Sequence, residues 1–164
     1  MGTKALYAGS FDPLTLGHVD IIERASRLFE GVYVAVAVNT TKTPLFSDEE
    51  KVQLLHDSLA HLDNITIVRL EPGRLTIDLA HDLSCQVLLR GCRNPQDYEY
   101  ETSIAMMNKL QDRAIETVLL MSDEKYRFVS SSIVKETARF GGNVSAVVPK
   151  PVNQALKEKF QYSD

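Results

Sequence analysis

The stretch Lys4-Ala5-Leu6-Tyr7-Ala8-Gly9-Ser10-Phe11-Asp12-Pro13-Leu14-Thr15-Leu16-Gly17-His18 sets the reading of the whole chain. Lys4 to Ala8 reads as a strand, apolar enough to be buried on both faces. From His18 to Phe29 the residues Val19, Ile22, Ala25 and Phe29 recur at helical spacing, so a helix follows. The loop between them is rich in groups suited to phosphate. Gly9 and Gly17 allow close backbone approach, Ser10 offers a hydroxyl, and His18 stands where the helix begins. A helix N-terminus presents unpaired N–H groups and positive potential, which stabilise an anion. On its own, His18 reads equally well as a helix-start histidine with a local hydrogen bond.

The same alternation runs outward along the chain. Val32–Val38 is a second apolar strand, and Ser47 opens a helix with the capping box Ser47-Asp48-Glu49-Glu50 ahead of Val52, Leu55 and Leu59. Ile65–Leu70 is a third strand, followed by a short helix from Leu75 to Leu83. Gln86–Leu89 reads as the fourth strand, Asp97–Leu110 as a helix, and Thr117–Met121 as the fifth strand. A helix over Ser131–Phe140 is closed by Gly141-Gly142, and an amphipathic helix near Val152–Phe160 comes last. Continuous apolar strands alternating with amphipathic helices predict an α/β fold. It is a doubly wound, Rossmann-like, five-stranded parallel sheet with helices on both faces. No repeat or linker divides the sequence, so residues 1–164 are expected to form a single domain.

Composition narrows the function. A hydrophobic share of 44% and a charged share of 24% are ordinary for a globular protein. The net charge of −4 and a pI near 5.6 provide no positive field to recruit nucleic acid. Any bound anion must be held by local groups. Cys85 and Cys92 have neither the number nor the spacing of a disulfide framework or zinc site, and read as reduced thiols. Met1–Leu6 has no charged leader with an apolar run, and Leu6 stands where a myristoylation motif wants Ser or Thr. No apolar run approaches the ~20 residues that span a bilayer. A cytoplasmic protein without membrane partners is expected.

In doubly wound sheets, ligands bind beyond the carboxyl ends of the strands. The second strand ends in Asn39-Thr40-Thr41-Lys42-Thr43-Pro44, and the fourth leads into Arg90-Gly91-Cys92-Arg93-Asn94. A planar guanidinium grips phosphate through two parallel hydrogen bonds. After the fifth strand, Ser130-Ser131-Ser132 puts hydroxyls and free N–H groups at a helix start, as a polyphosphate requires. Each loop has a bland alternative: a solvated lysine, a surface turn, a simple N-cap. Together, they place every phosphate-suited group on one edge.

These loops are recognisable. Gly9-Ser10-Phe11-Asp12-Pro13 running into Thr15-Leu16-Gly17-His18 resembles the first signature of the nucleotidyltransferase superfamily, and Val129-Ser130-Ser131-Ser132-Ile133-Val134-Lys135 resembles its second. The Lys42 loop, Leu89–Asn94 and Asp97-Tyr98-Glu99-Tyr100-Glu101 narrow the likeness to the bacterial phosphopantetheine adenylyltransferase family, over about Lys4 to Phe160. The resemblance implies a nucleotidyltransferase domain that joins ATP and 4′-phosphopantetheine into dephospho-coenzyme A and pyrophosphate, a late step of coenzyme A biosynthesis. By motif, His18 would stabilise charge on the α-phosphate, while Ser10 and the backbone of Phe11 would touch the reacting phosphates. Lys42 and Arg90 would hold the acceptor phosphate, with Thr76 near the pantetheine arm. Gly91, Cys92, Arg93 and Glu101 would line the ATP site. Tyr126, Arg127, Phe128, Val129, Ser130, Ser131 and Ser132 would close over the nucleotide. Mg²⁺ would accompany ATP without a dedicated protein site, coenzyme A is a candidate inhibitor, and the family implies a homohexamer. Ala8 for proline, Val129 for isoleucine and Cys92 for a larger aliphatic residue depart from the pattern without removing a charged or hydrogen-bonding group.

The chemistry agrees with the residues. A phosphate acceptor is already anionic at neutral pH, so the reaction needs in-line positioning and positive charge more than a strong base. The loops offer no nucleophile–base–orienter set and no Gly-x-x-x-x-Gly-Lys-Ser/Thr loop. An adenylyltransferase for another acceptor such as nicotinamide mononucleotide shares His18 and the serines, so Lys42 and Arg90 carry the discrimination. A non-catalytic nucleotide-binding module on the same fold has no need of all three.

Overall fold

A computed structural model describes residues 2–38 and 43–161. Five strands form one sheet: β1 (Lys4–Gly9), β2 (Gly31–Ala37), β3 (Ile65–Leu70), β4 (Val87–Cys92) and β5 (Glu116–Met121). Their order is β3-β2-β1-β4-β5, and every pairing is parallel. The helices are α1 (Leu16–Leu28), α2 (Asp48–Leu59), α3 (Thr76–Asp82), α4 (Pro95–Gln111), α5 (Ser131–Arg139) and α6 (Lys150–Phe160), with a 3-10 turn at Glu124–Tyr126. This is the doubly wound α/β sheet that the sequence predicts.

Alternation along the strands divides the core in two. Ala5, Tyr7, Val32, Val34, Val36, Val87 and Leu89 face α1, α2, α5 and α6. Leu6, Ala8, Ala35 and Leu88 face the other way, onto Ile77, Leu79 and Ala80 of α3. Residues two apart share a face, so one run of small and β-branched side chains supplies both halves of the core.

Strand order reverses between β1 and β4. Pairing of β1 with β2 runs the full strand, from Lys4↔Gly31 to Gly9↔Val36. Pairing of β1 with β4 is recorded only at Ala5↔Val87 and Leu6↔Leu88. Past that point, the carboxyl ends part and a crevice opens where the fold rule places ligands.

Most boundaries shift by one or two residues from expectation, and two of the differences bear on the site. The first helix starts at Leu16, not His18, because Thr15 caps it. The fourth strand does not stop at Leu89. It continues through Arg90, Gly91 and Cys92 because β5 pairs with them at Leu119, Leu120 and Met121. The arginine segment is therefore half strand, and Arg90 projects from a paired backbone rather than from a free loop.

Candidate active site

A cavity of about 340 Å³ occupies the crevice between β1 and β4. Its first wall is the β1–α1 connection. Phe11 is almost fully buried there with φ of 44°, a left-handed backbone conformation that non-glycine residues rarely adopt. Its ring packs edge-on against Tyr7 (centroids 5.6 Å apart) and His18 (5.1 Å). A Cβ on Gly9 would sit 3.1 Å from Phe11 Cζ, so any side chain there would press on the ring.

Asp12 ties the same loop to two distant elements. Its carboxylate accepts from the Leu45 amide (2.8 Å) and the Phe46 amide (2.9 Å), and pairs with Lys135 of α5 (2.9 Å). Burial disfavours the charge, but Lys135 and the two amides outweigh it and hold the carboxyl below its usual range.

His18 is half-buried at the third position of α1, reciprocating the cap: Thr15 Oγ1 accepts from the His18 amide (3.3 Å), and His18 Nδ1 accepts from the Thr15 amide (3.1 Å). The local hydrogen bond is therefore real, and it decides the chemistry of the ring. With Nδ1 accepting, the proton of neutral imidazole resides on Nε2. Desolvation first, then the charges of Arg93 and Arg90, pull the ring's pKa down to about 4. At neutral pH, His18 is an uncharged Nε2–H donor on the cavity wall.

The facing wall carries the positive charge. Arg90 Nε and Nη2 clamp the two oxygens of Glu101, each at 2.9 Å, and Nη1 donates to the Ala8 carbonyl across the split (2.6 Å). A guanidinium has five N–H donors, so two remain for a ligand. Arg93 Nε pairs with Asp97 at 3.0 Å, and its Nη1 donates to the Val129 carbonyl at 3.0 Å, drawing the loop before α5 onto the site. Tyr126, Val129, Ser130 and Ser131 complete this side.

The structure thus gathers Ser10, His18, Arg90, Gly91, Arg93, Glu101, Tyr126, Val129, Ser130 and Ser131 around one cavity. Thr76 lines an adjoining cavity of about 140 Å³ that shares Ala8, Arg90 and Glu101 with it. Ser132 lines a smaller third cavity. Four expected residues lie off the main wall. Phe11 is packed beneath it, Cys92 Sγ turns to the Asn94 carbonyl (3.5 Å), Arg127 Nε donates to the Arg93 carbonyl (3.2 Å), and Phe128 is exposed. Lys42 lies outside the described residues.

Three positions at these cavities carry no role in the sequence reading: Tyr7, Asp12 and Lys51. Tyr7 puts its ring on the main cavity, with its hydroxyl pushed up to about 12 chiefly by burial. Asp12 was seen only as part of a motif, and Lys51 not at all. An alternating strand could have flagged Tyr7; Asp12 gives no local signal because its partners are far away in sequence.

The fold, crevice and converging phosphate-suited groups define a nucleotidyltransferase-type site, and comparison with known proteins agrees. The cytidylyltransferase-like family model matches residues 6–137. A solved Vibrio parahaemolyticus structure, provisionally assigned as a nicotinate-nucleotide adenylyltransferase, shares the fold: TM-score 0.74 at 15% identity, covering 99% of this chain and 98% of that one. Among curated relatives, the phosphopantetheine adenylyltransferase of Latilactobacillus sakei is 48% identical over 96% of this chain and 95% of that protein. That of Prochlorococcus marinus strain AS9601 is 48% identical over 96% and 99%, and that of Lactobacillus gasseri 45% identical over 97% and 95%. The chain belongs to the phosphopantetheine adenylyltransferase family.

Proposed function

We propose that this protein transfers the adenylyl group of ATP to 4′-phosphopantetheine, giving dephospho-coenzyme A and pyrophosphate. The carrying observation is the pairing, across one cavity, of a neutral Nε2–H donor on His18 with the guanidinium groups of Arg90 and Arg93. An oxygen of the acceptor phosphate attacks the α-phosphorus, the bond to the bridging oxygen of the β-phosphate breaks, and pyrophosphate leaves. No proton need be removed from the nucleophile. His18 donates to the α-phosphate oxygens as charge builds there, and a neutral donor does so without binding the ground state as tightly as a cation. Arg90 directs its two remaining donors to the acceptor phosphate, with Lys42 as second cation and Thr76 beside the pantetheine arm. Ser10 and the Phe11 backbone meet the reacting phosphates. Gly91, Cys92, Arg93 and Glu101 flank the nucleotide, and Tyr126 to Ser132 cover its phosphates.

Mg²⁺ enters as the partner of ATP. Among the described residues, no group of three or more His, Cys, Asp or Glu side chains converges as a metal site. In this reading, the ion would accompany ATP on its phosphates and would screen their charge. Coenzyme A shares the pantetheine arm of the product and would compete for the same cavities. A cytoplasmic homohexamer is part of the proposal, and the exposed Met106, Met107 and Leu110 of α4 support assembly through that helix. No helix of the described residues is long and apolar enough to cross a membrane.

The test is pyrophosphate release from ATP with phosphopantetheine and nicotinamide mononucleotide side by side. Turnover with the first and almost none with the second is expected. Equal turnover with both would overturn the acceptor assignment, and none with either would overturn the reaction.

A further inference from the structure

Lys51, on the second turn of α2, is only 3% exposed. Among the described residues, its ionic partner is Asp48 Oδ1 at 3.8 Å, beyond hydrogen-bond reach, and the Asp48 side chain is 37% exposed and lines the same cavity. The side chain is buried, and among the described residues its ammonium has no acceptor at hydrogen-bond distance, so its three donors face the cavity it lines. Lys51 lines a cavity of about 70 Å³ shared with Ser10, Ser131, Ser132 and Lys135. That is well above the ~10–15 Å³ a single water needs and far below the ~300 Å³ of a small-molecule pocket.

The remaining groups around this cavity are mostly donors. Asp12 is there, but its oxygens are taken by Leu45, Phe46 and Lys135. Ser131 and Ser132 are the first residues of α5, whose opening N–H groups have no intrahelical partner. Ser130 Oγ already serves the Ile133 amide. Helix N–H groups, the Ser10 and Ser132 hydroxyls and the Lys51 ammonium therefore surround a space sized for one small oxyanion. Ser10 and Ser131 also line the main cavity, so the two spaces adjoin.

We propose that Lys51 is a further phosphate-binding residue, holding one phosphoryl group of the reactants between α2 and the N-terminus of α5. This rests on the proposed reaction for the source of the phosphate. The source is either the terminal phosphates of ATP, which leave as pyrophosphate, or the acceptor's phosphomonoester.

Calorimetry on the full chain separates these sources. Inorganic pyrophosphate, phosphopantetheine and dephosphorylated pantetheine are titrated into the wild type, Lys51→Met, Lys51→Arg and Asp48→Asn. In Lys51→Met, the affinity for one of the two phosphate ligands falls about tenfold or more, while dephosphorylated pantetheine is unaffected. Which ligand suffers identifies the source, and Lys51→Arg recovers part of the loss. Asp48→Asn removes the competing carboxylate and tightens the same ligand several-fold, a gain that a damaged fold cannot produce. If Lys51→Met does not fold, Asp48→Asn decides alone: tighter binding supports the assignment, and unchanged affinity for both anions overturns it. Unchanged affinities in folded Lys51→Met overturn it equally. Turnover by the wild type tests the reaction separately, so the two readings fail independently.

Discussion

On the β1–α1 side of the main cavity, the ring that faces the ligand is set by near neighbours in sequence, Phe11 against Tyr7 and His18 and Thr15 against His18, while Asp12 anchors the loop behind it to distant elements. On the β4–β5 side, it is fixed by charged groups reaching between elements: Arg90 to Glu101 and Ala8, and Arg93 to Asp97 and Val129. The first wall offers a neutral donor of set tautomer and direction. The second offers positive charge, already partly spent on carboxylates and carbonyls. Rigid, uncharged donors favour the transition state, whereas exposed cations bind anionic substrate at every stage. Variants of the first wall should therefore move kcat or folding, and variants of the second KM.

The largest effect is expected from His18→Ala, which should lower kcat by about 10²–10³ with little change in either KM. Losing the reciprocal cap should cost about 1 kcal/mol of stability, so kcat and Tm measured on one preparation separate the two roles. Retention of most of the turnover by a folded variant would erase the contrast between the walls. Asp12→Ala strands Lys135 and two amides, and should cost about 3 kcal/mol, or roughly 10 °C in Tm by calorimetry. A shift of only a degree or two would show that the loop is held by other contacts. Arg90→Ala should raise KM for phosphopantetheine about tenfold to a hundredfold, the worth of a charge-assisted contact, and that for ATP much less. A fall in kcat at unchanged KM would place Arg90 with the first wall.

The last contrast concerns pH. The unfolded chain binds a proton at histidine near pH 6.5, while folded His18 does so only near 4. Between those values the unfolded state holds more protons, so His18 makes stability fall as pH falls, by at most about 1.4 kcal/mol per pH unit. Asp12 and Asp97, both held below their usual range, also lose stabilisation toward acid, so the comparison is with His18→Asn. The Tm of the wild type should drop more steeply than that of His18→Asn between pH 6.5 and 4. Parallel curves would mean that the ring is not desolvated as described.

Much of this was legible from local pattern. Ile65–Leu70 is a strand end to end as its apolar run implies, and the Ser47 capping box forms with Glu50 reciprocating. What was not legible depends on partners far away in sequence. Strand β4 runs past Leu89 only because β5 pairs there, and Asp12 matters through residues 33, 34 and 123 positions on. The start of α1 was misplaced for a different reason: its capping box uses histidine at the position where Glu or Gln is the recognised partner. That same substitution makes His18 both a cap and a cavity-facing donor, so the two readings open at the sequence level are one arrangement.

The account turns on His18 being neutral with its proton on Nε2. Nitrogen-15 NMR of histidine-labelled protein through a pH titration observes this directly. The prediction is a protonated Nε2 and an unprotonated Nδ1 at pH 7, with a midpoint near 4. A midpoint near 6.5, or a neutral ring protonated on Nδ1, would contradict it.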